Sequence, residues 1–277
     1  MDSLITHKQE AILQQRLDEF LTTDVSGREA MREVIRHFGQ CECQSYLFGG
    51  LLRDLMVKGK TARPRDVDVV VAGSSSTALE ELFRPYLDRK TRFGGLHLKN
   101  KDWMFDVWPL EETWAFKHGS FKEVSFSELP RTAFLNVEAV VAELSVTPGA
   151  TRKIYTLGFF EGITNKTIEL NYEENPFPAL CVVRSLVIAT DLSFQIGPVL
   201  ADYILRHMSL ISVSRLMEAQ IHHYGITKLS PNAIREAHKA ILRQSQRTPN
   251  RPVTLPDRLH KPERPVATRT GLAKMQH

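Results

Sequence analysis

Hydrophobic positions recur every three to four residues at the start of the chain: Ile5, Ile12, Leu13, Leu17 and Phe20, then Met31, Val34, Ile35 and Phe38. That spacing predicts two helices. Ser26 is placed to cap the second and Gly39 to stop it. The period then shortens. Residues 44–48 and 65–72 read as strands, with a Gly49-Gly50 turn and a short helix over 51–57 between them. Residues 77–87 return to helical spacing. Residues 96–99 and 103–108 read as strands joined by a polar turn at 100–102. Residues 133–144 fit either a strand or a helix, with strand favoured at the start. Residues 153–157 and 167–170 are short strand candidates around a glycine-containing turn.

After Pro178 the pattern becomes helical throughout, over 180–192, 198–208, 213–224 and 231–243. Beyond Gln246 come five prolines in thirty-one residues and few large apolar side chains, the composition of a flexible tail. The predicted plan is an N-terminal helical extension over 1–40, a mixed α/β domain over 41–172, a helical domain over 173–245 and a basic, Pro-rich tail over 246–277.

Composition changes this picture little. Hydrophobic residues make up 42% and charged residues 25% of the 277, a globular balance that excludes a largely disordered or collagen-like chain. The apolar runs are too short to span a bilayer. The N-terminal MDSLITHKQE has no basic region followed by an apolar one, so no signal peptide is expected. Cys41, Cys43 and Cys181 show neither a disulfide framework nor zinc spacing, and reduced thiols in the cytoplasm are the expectation. Charge placement says more. Residues 243–277 hold eight Lys/Arg and two Asp/Glu, a net +6 that leaves the preceding 242 residues at −2. A basic tail suits an anionic partner such as nucleic acid, or a solubilising terminus.

The candidate chemistry lies in the two strands of the middle segment. Alternation puts Val67, Val69 and Val71 on one face and Asp66 and Asp68 on the other. Two carboxylates on one face repel and raise each other's pKa, so a cation is the natural companion, and oxygen ligands suit Mg²⁺ or Mn²⁺. Asp106 stands alone in the apolar run WMFDVWPL, costly unless paired. If the two strands are neighbours, Asp66, Asp68 and Asp106 converge, and three carboxylates can hold two metals about 4 Å apart for in-line phosphoryl transfer. The Gly49-Gly50 turn opens into a helix whose first N–H groups can bind phosphate. Arg53 lies near that helix start, suited to a triphosphate, with Asp54 orienting it. Other candidates carry less. His222 and His223 are adjacent on a helix and point apart. Trp103, Trp108 and Trp114 read as packing residues. Arg84, Arg89, Lys90 and Arg92 read as a solvated face, and Cys181 as buried.

Together, GGLLRDLMVKG followed by DVDVVV resembles the GGxVRDxLLG and DxDxxV motifs of the class II tRNA nucleotidyltransferases (CCA-adding enzymes) and bacterial poly(A) polymerases, within the DNA polymerase β-like superfamily. PRTAFLNV resembles the family's RRDFTINA, with Arg131 and Asn136 on matching positions and Thr132 in place of an aspartate. ENPFPALCVVRSLVIA resembles EDPLRLLRAVRFA, with Glu174, Pro176, Leu180 and Arg184 matching. GFFEGITNKTIEL is a looser match to a DxFGGxxDL turn. The resemblance spans about residues 44–210.

The resemblance implies an α+β fold: a polymerase β-like palm, a mixed sheet with flanking helices, followed by a helical neck. It implies a metal-dependent, template-independent nucleotidyltransferase using Mg²⁺ or Mn²⁺ and an NTP or dNTP. Asp66, Asp68 and Asp106 would be the catalytic metal ligands, and Gly49, Gly50, Arg53, Arg131, Asn136 and Arg184 the nucleotide-binding residues. The family reads the base through EDxxR, but Asn175 and Pro178 replace its aspartate and arginine, so ordered CCA addition is not expected. The acceptor stays open: an RNA 3′ end, a second nucleotide as in signalling oligonucleotides, or a protein or tRNA hydroxyl as in toxin-like enzymes of defence systems. A non-catalytic nucleic-acid-binding module of the same fold is the alternative of a different class.

Overall fold

The alternation of valine and aspartate in the middle segment organises the molecule, because it gives the central strand two faces of opposite character. The chain, described by a computed structural model over residues 2–23, 27–41, 43–91, 93–144, 147, 149 and 151–260, opens with α1 (Asp2–Thr22) and α2 (Glu29–Phe38). There follow β1 (Gln44–Phe48), α3 (Gly50–Lys58), β2 (Val67–Ala72), α4 (Ser76–Leu82), β3 (Leu87–Lys90), β4 (Leu96–Asn100), β5 (Trp103–Pro109) and α5 (Trp114–His118). The sheet part closes with β6 (Val140–Glu143), β7 (Ile154–Thr156), α6 (Phe159–Thr164) and β8 (Thr167–Ile168). The helical part is α7 (Pro178–Leu192), a short β9 (Gln195–Ile196), α8 (Pro198–Met208), α9 (Val213–Tyr224) and α10 (Pro231–Arg247). Ser26, Arg92 and the residues after 260 lie outside the described residues.

Seven strands form one sheet in the order β3-β4-β5-β2-β1-β6-β7. All neighbours are antiparallel except β2 and β5, which run parallel. Val67, Val69 and Val71 face a core built with α1, α2 and α3, including Leu13, Leu17, Met31 and Leu52. Val70 joins a smaller core on the other face with Tyr46, Leu110 and Phe116. The N-terminal helices are therefore part of the sheet's main core.

The expected boundary at residue 172 cuts through shared packing. Phe134, Leu135, Val137 and Ile168 are buried among the residues of α7, α8 and α10, and β8 pairs in parallel with β9. The 133–144 segment is corrected in detail: its start is a 3₁₀ turn over Asn136–Glu138 and its end is the strand β6. β3, unforeseen because LDRK is mostly charged, forms the sheet edge. Val253, Leu255 and Leu259 are buried in the helical core, and Val253 bridges to Ile196, so the stretch up to 260 packs where a flexible tail was expected. Cys41 and Cys43 are joined as a disulfide, against the expectation of reduced thiols. Their Cα atoms stand 5.1 Å apart, within the span a disulfide bridges. No helix among the described residues is long and apolar enough to cross a membrane.

Candidate active site

The parallel register of β2 and β5 sets Asp68 directly opposite Asp106. Asp66 precedes β2 on the same face. The three line one cavity of about 630 Å³ between the sheet and the helical part. Burial pushes the Asp68 carboxyl well above its ordinary range, and the charges of Asp66 and Asp106 push it further. Asp106 is raised as well, first by burial, with His97 opposing. His97 lies opposite Asp106 on β4, and its Nδ1 abuts Asp106 Oδ1 as an ion-pair contact. That contact is not aligned as a hydrogen bond, and the buried Oδ1 accepts none. Asp66 is held by Arg65, whose Nε donates to Oδ2 at 3.0 Å. Among the described residues no group of three or more His, Cys, Asp or Glu side chains stands arranged to hold a metal ion.

Arg65 also reaches the helical part. Its Nη1 donates to the His223 carbonyl at 3.0 Å and lies 2.9 Å from His223 Nε2. Its guanidinium stands 5.6 Å from the Tyr224 ring centroid. Burial, then the charges of Arg65 and Arg184, pull the His223 imidazole down to about 3. His223 and Tyr224 both line the cavity. His222 is exposed on the helix, so the two histidines do not share a site.

The Gly-Gly turn has the expected form. Gly49 sits at φ +68°, a backbone conformation that favours glycine, and Gly50 opens α3. Arg53, one turn in, is consumed by neighbours. Its Nε donates to Asp54 Oδ1 at 2.9 Å and its Nη1 to Glu138 Oε1 at 2.6 Å. Asp54 also accepts from Lys58 at 3.0 Å. Glu138 is buried and takes a second arginine: Arg184 Nη2 donates to both its carboxylate oxygens at 2.8 Å. Burial would raise the Glu138 carboxyl, but Arg184 and Arg53 together hold it below its usual range. Lys58, Arg63, Arg184 and Lys228 also line the cavity.

Two expected nucleotide contacts stand elsewhere. Arg131 is exposed and pairs with Glu128 at 3.2 Å, outside the cavity wall. Asn136 ties the backbone together: its Oδ1 accepts from Val137 N and Glu169 N at 2.8 Å, and its Nδ2 donates to Thr167 O at 3.3 Å. Asn175 lines the cavity, with its Oδ1 accepting from Phe177 N at 2.9 Å. Pro178 is the first residue of α7, where a missing N–H costs nothing. Trp108, read as packing, lines the cavity too.

Arg65, His97, Glu138 and His223 were not foreseen. Glu138 carried a usable signal, since a lone acid in the apolar run from Ala133 to Ala142 needs a partner as Asp106 does. His97 alternates with Leu96 and Leu98, which marks the polar face of its strand.

No protein-family model and no curated protein matches the chain. Solved structures do. A CCA-adding enzyme in its apo form I is 15% identical, with a TM-score of 0.56 over 83% of this chain and 53% of that one. The Thermotoga maritima CCA-adding enzyme complexed with tRNA is 15% identical, with a TM-score of 0.54 over 83% and 53%. The Bacillus stearothermophilus CCA-adding enzyme in complex with CTP is 19% identical, with a TM-score of 0.53 over 78% and 52%. This chain thus spans about half the length of those proteins, and it is built on the mixed α+β fold that the solved CCA-adding enzymes share.

Proposed function

We propose that the chain is a metal-dependent, template-independent nucleotidyltransferase that moves a nucleoside monophosphate from an NTP or dNTP onto a hydroxyl and releases pyrophosphate. The observation that carries this reading is that Asp68 and Asp106 face each other across two strands and, with Asp66, line one cavity that Lys58, Arg63, Arg184 and Lys228 also line. A divalent cation fits this donor set. The ligands are all oxygen, and the charges of Asp66 and Asp106 add to burial in raising the Asp68 carboxyl, a like-charge crowding that a divalent cation relieves.

Asp66, Asp68 and Asp106 would hold Mg²⁺ or Mn²⁺. Bound there, such ions neutralise charge on the attacking and leaving oxygens of an in-line displacement. Asp106 lies beside the attacking position and accepts the proton of the incoming hydroxyl. Lys58, Arg63, Arg184 and Lys228 face the triphosphate, with the N–H groups at the Gly49-Gly50 turn beside them. Arg53 acts from behind Glu138, and Arg131 and Asn136 have no direct part.

A nucleic-acid acceptor is the first choice. One of the similar enzymes is complexed with tRNA and another with CTP. On this chain, Arg235, Lys239, Arg243 and Arg247 stand exposed at four-residue steps along α10, opposite its buried Ile234, Ala237 and Ile241.

Incubation with each labelled rNTP and dNTP, with Mg²⁺ or Mn²⁺ and with or without RNA, tests the reading by mass analysis of RNA, nucleotides and protein. Incorporation with pyrophosphate release supports it. Label on a free nucleotide or on the protein moves the acceptor to a signalling oligonucleotide or a protein hydroxyl. RNA binding with no transfer in any combination makes the chain a binding module.

A further inference from the structure

We infer that Glu138 is a positioning residue for triphosphate binding: it fixes the Arg184 guanidinium in the cavity and is itself fixed by Arg53. The inference rests on the nucleotidyl-transfer reading above and deepens it.

A guanidinium carries five N–H groups. Arg53 spends its Nε and Nη1 on Asp54 and Glu138, and its Nη2 lies 2.8 Å from Asp54 Oδ1. Only 14% of its side chain is exposed. Arg53 therefore has little left to offer a ligand. Arg184 is in the reverse state. It bonds Glu138 through Nη2 alone, so its Nε–H and both Nη1 hydrogens are unspent among the described residues. Its side chain is 35% exposed and lines the cavity. A planar fork held at one nitrogen presents its remaining donors in a fixed direction, which suits the planar, bidentate recognition of phosphate oxygens.

The chain order of this relay explains why it spans two parts of the molecule. Arg53 belongs to α3, Glu138 to the 3₁₀ turn before β6, and Arg184 to the middle of α7. Among the described residues, Glu138 is the one acid that bonds both arginines. Without it, two like charges face each other across the junction, and Arg184 is free to rotate.

The inference has a sign that simple charge counting does not share. Replacing Glu138 by a neutral residue makes the cavity more positive, so Coulomb attraction alone predicts tighter binding of a polyanion. Loss of positioning predicts weaker binding.

Inorganic tripolyphosphate and a non-hydrolysable NTP analogue are titrated calorimetrically into wild type, Glu138→Gln, Arg184→Gln and the double variant. Each single variant is expected to weaken binding about 10- to 100-fold, the loss of a charge-assisted hydrogen bond, and the double variant to be no weaker than Arg184→Gln. Arg184→Lys keeps the charge and loses the fork at this partly exposed position. It is expected to weaken binding similarly, which covers the case in which Glu138→Gln does not fold. Equal or tighter binding by Glu138→Gln, or unchanged binding by Arg184→Lys, overturns the inference and leaves the transfer reading standing. Wild type that binds neither probe removes both.

Discussion

Arg184 Nη2 donates to both carboxylate oxygens of Glu138 at 2.8 Å, and Oε1 of that carboxylate also accepts from Arg53. The turn before β6 and the first long helix of the helical part are thereby joined through one buried acid. Removing Glu138 leaves Arg184 without its acid and Arg53 with Asp54 alone. Glu138→Ala is expected to cost about 3–5 kcal/mol of stability, measured by urea denaturation. A loss below about 1 kcal/mol, the range of an exposed pair, would show that the cluster is solvated in solution.

The three aspartates give a metal prediction. The Asp68 carboxyl is raised in the folded protein, so the native state binds its proton more tightly than the unfolded chain does. Stability is therefore lost as pH rises from below the ordinary Asp value through the raised native one. At neutral pH, Mg²⁺ or Mn²⁺ is expected to raise Tm and EDTA to reverse it. Asp68→Asn is expected to raise the metal-free Tm and to abolish both the metal response and nucleotide transfer. A metal-induced Tm shift that survives in Asp68→Asn would place the ion elsewhere.

His223 is held at about 3, first by burial and then by Arg65 and Arg184. Its imidazole is expected to show no titration by NMR between pH 8 and pH 5. Because its folded pKa lies below the unfolded value of about 6.5, its contribution to stability falls as pH drops below that value. Arg65→Gln removes one of the two arginine charges and is expected to move the midpoint upward. A wild-type midpoint near 6.5 would mean that α9 does not close on Arg65 in solution.

The basic row on α10 runs against side-chain electrostatics, since like charges at four-residue steps repel. If it follows an RNA backbone, changing Lys239, Arg243 and Arg247 together to Gln is expected to flatten the salt dependence. The slope of log K against log salt should fall by roughly 2, at about 0.7 per phosphate contact for a single strand. Fluorescence anisotropy with a labelled single-stranded RNA measures it, and an unchanged slope would make the row a solvated face.

Base choice is the last prediction. Pro178 opens α7 without a donor, and the Asn175 oxygen is spent on Phe177 N, leaving the amide nitrogen as its cavity-side group. A preference for one nucleotide is expected in place of ordered C, C, A addition. Sequencing of extended RNA reads this out, and clean CCA on truncated tRNA would refute it.

The chemistry of the three aspartates was legible because strand alternation is local: DVDVVV and FDV place their acids on defined faces whatever the rest of the chain does. The four long helices after Pro178 were legible for the same reason. The arginines were not. Whether Arg53 faces a ligand or an acid depends on Glu138, eighty-five residues away, and no periodicity carries that distance. Asn136 shows the limit of motif matching, since its position in PRTAFLNV says nothing of the three backbone groups it satisfies. The stretch from 247 to 260 looked tail-like by composition, yet Val253, Leu255 and Leu259 suffice to dock it.

Under the proposed function, the facing of Asp68 and Asp106 across β2 and β5 makes alignment of the central strands a condition of chemistry. A slip of one residue between them turns Asp106 to the opposite face of the sheet, where Val67, Val69 and Val71 are packed. A mispaired molecule is then inert instead of altered in specificity. Specific activity in a preparation accordingly counts the molecules whose strands are aligned, and it serves as a direct gauge of folding fidelity.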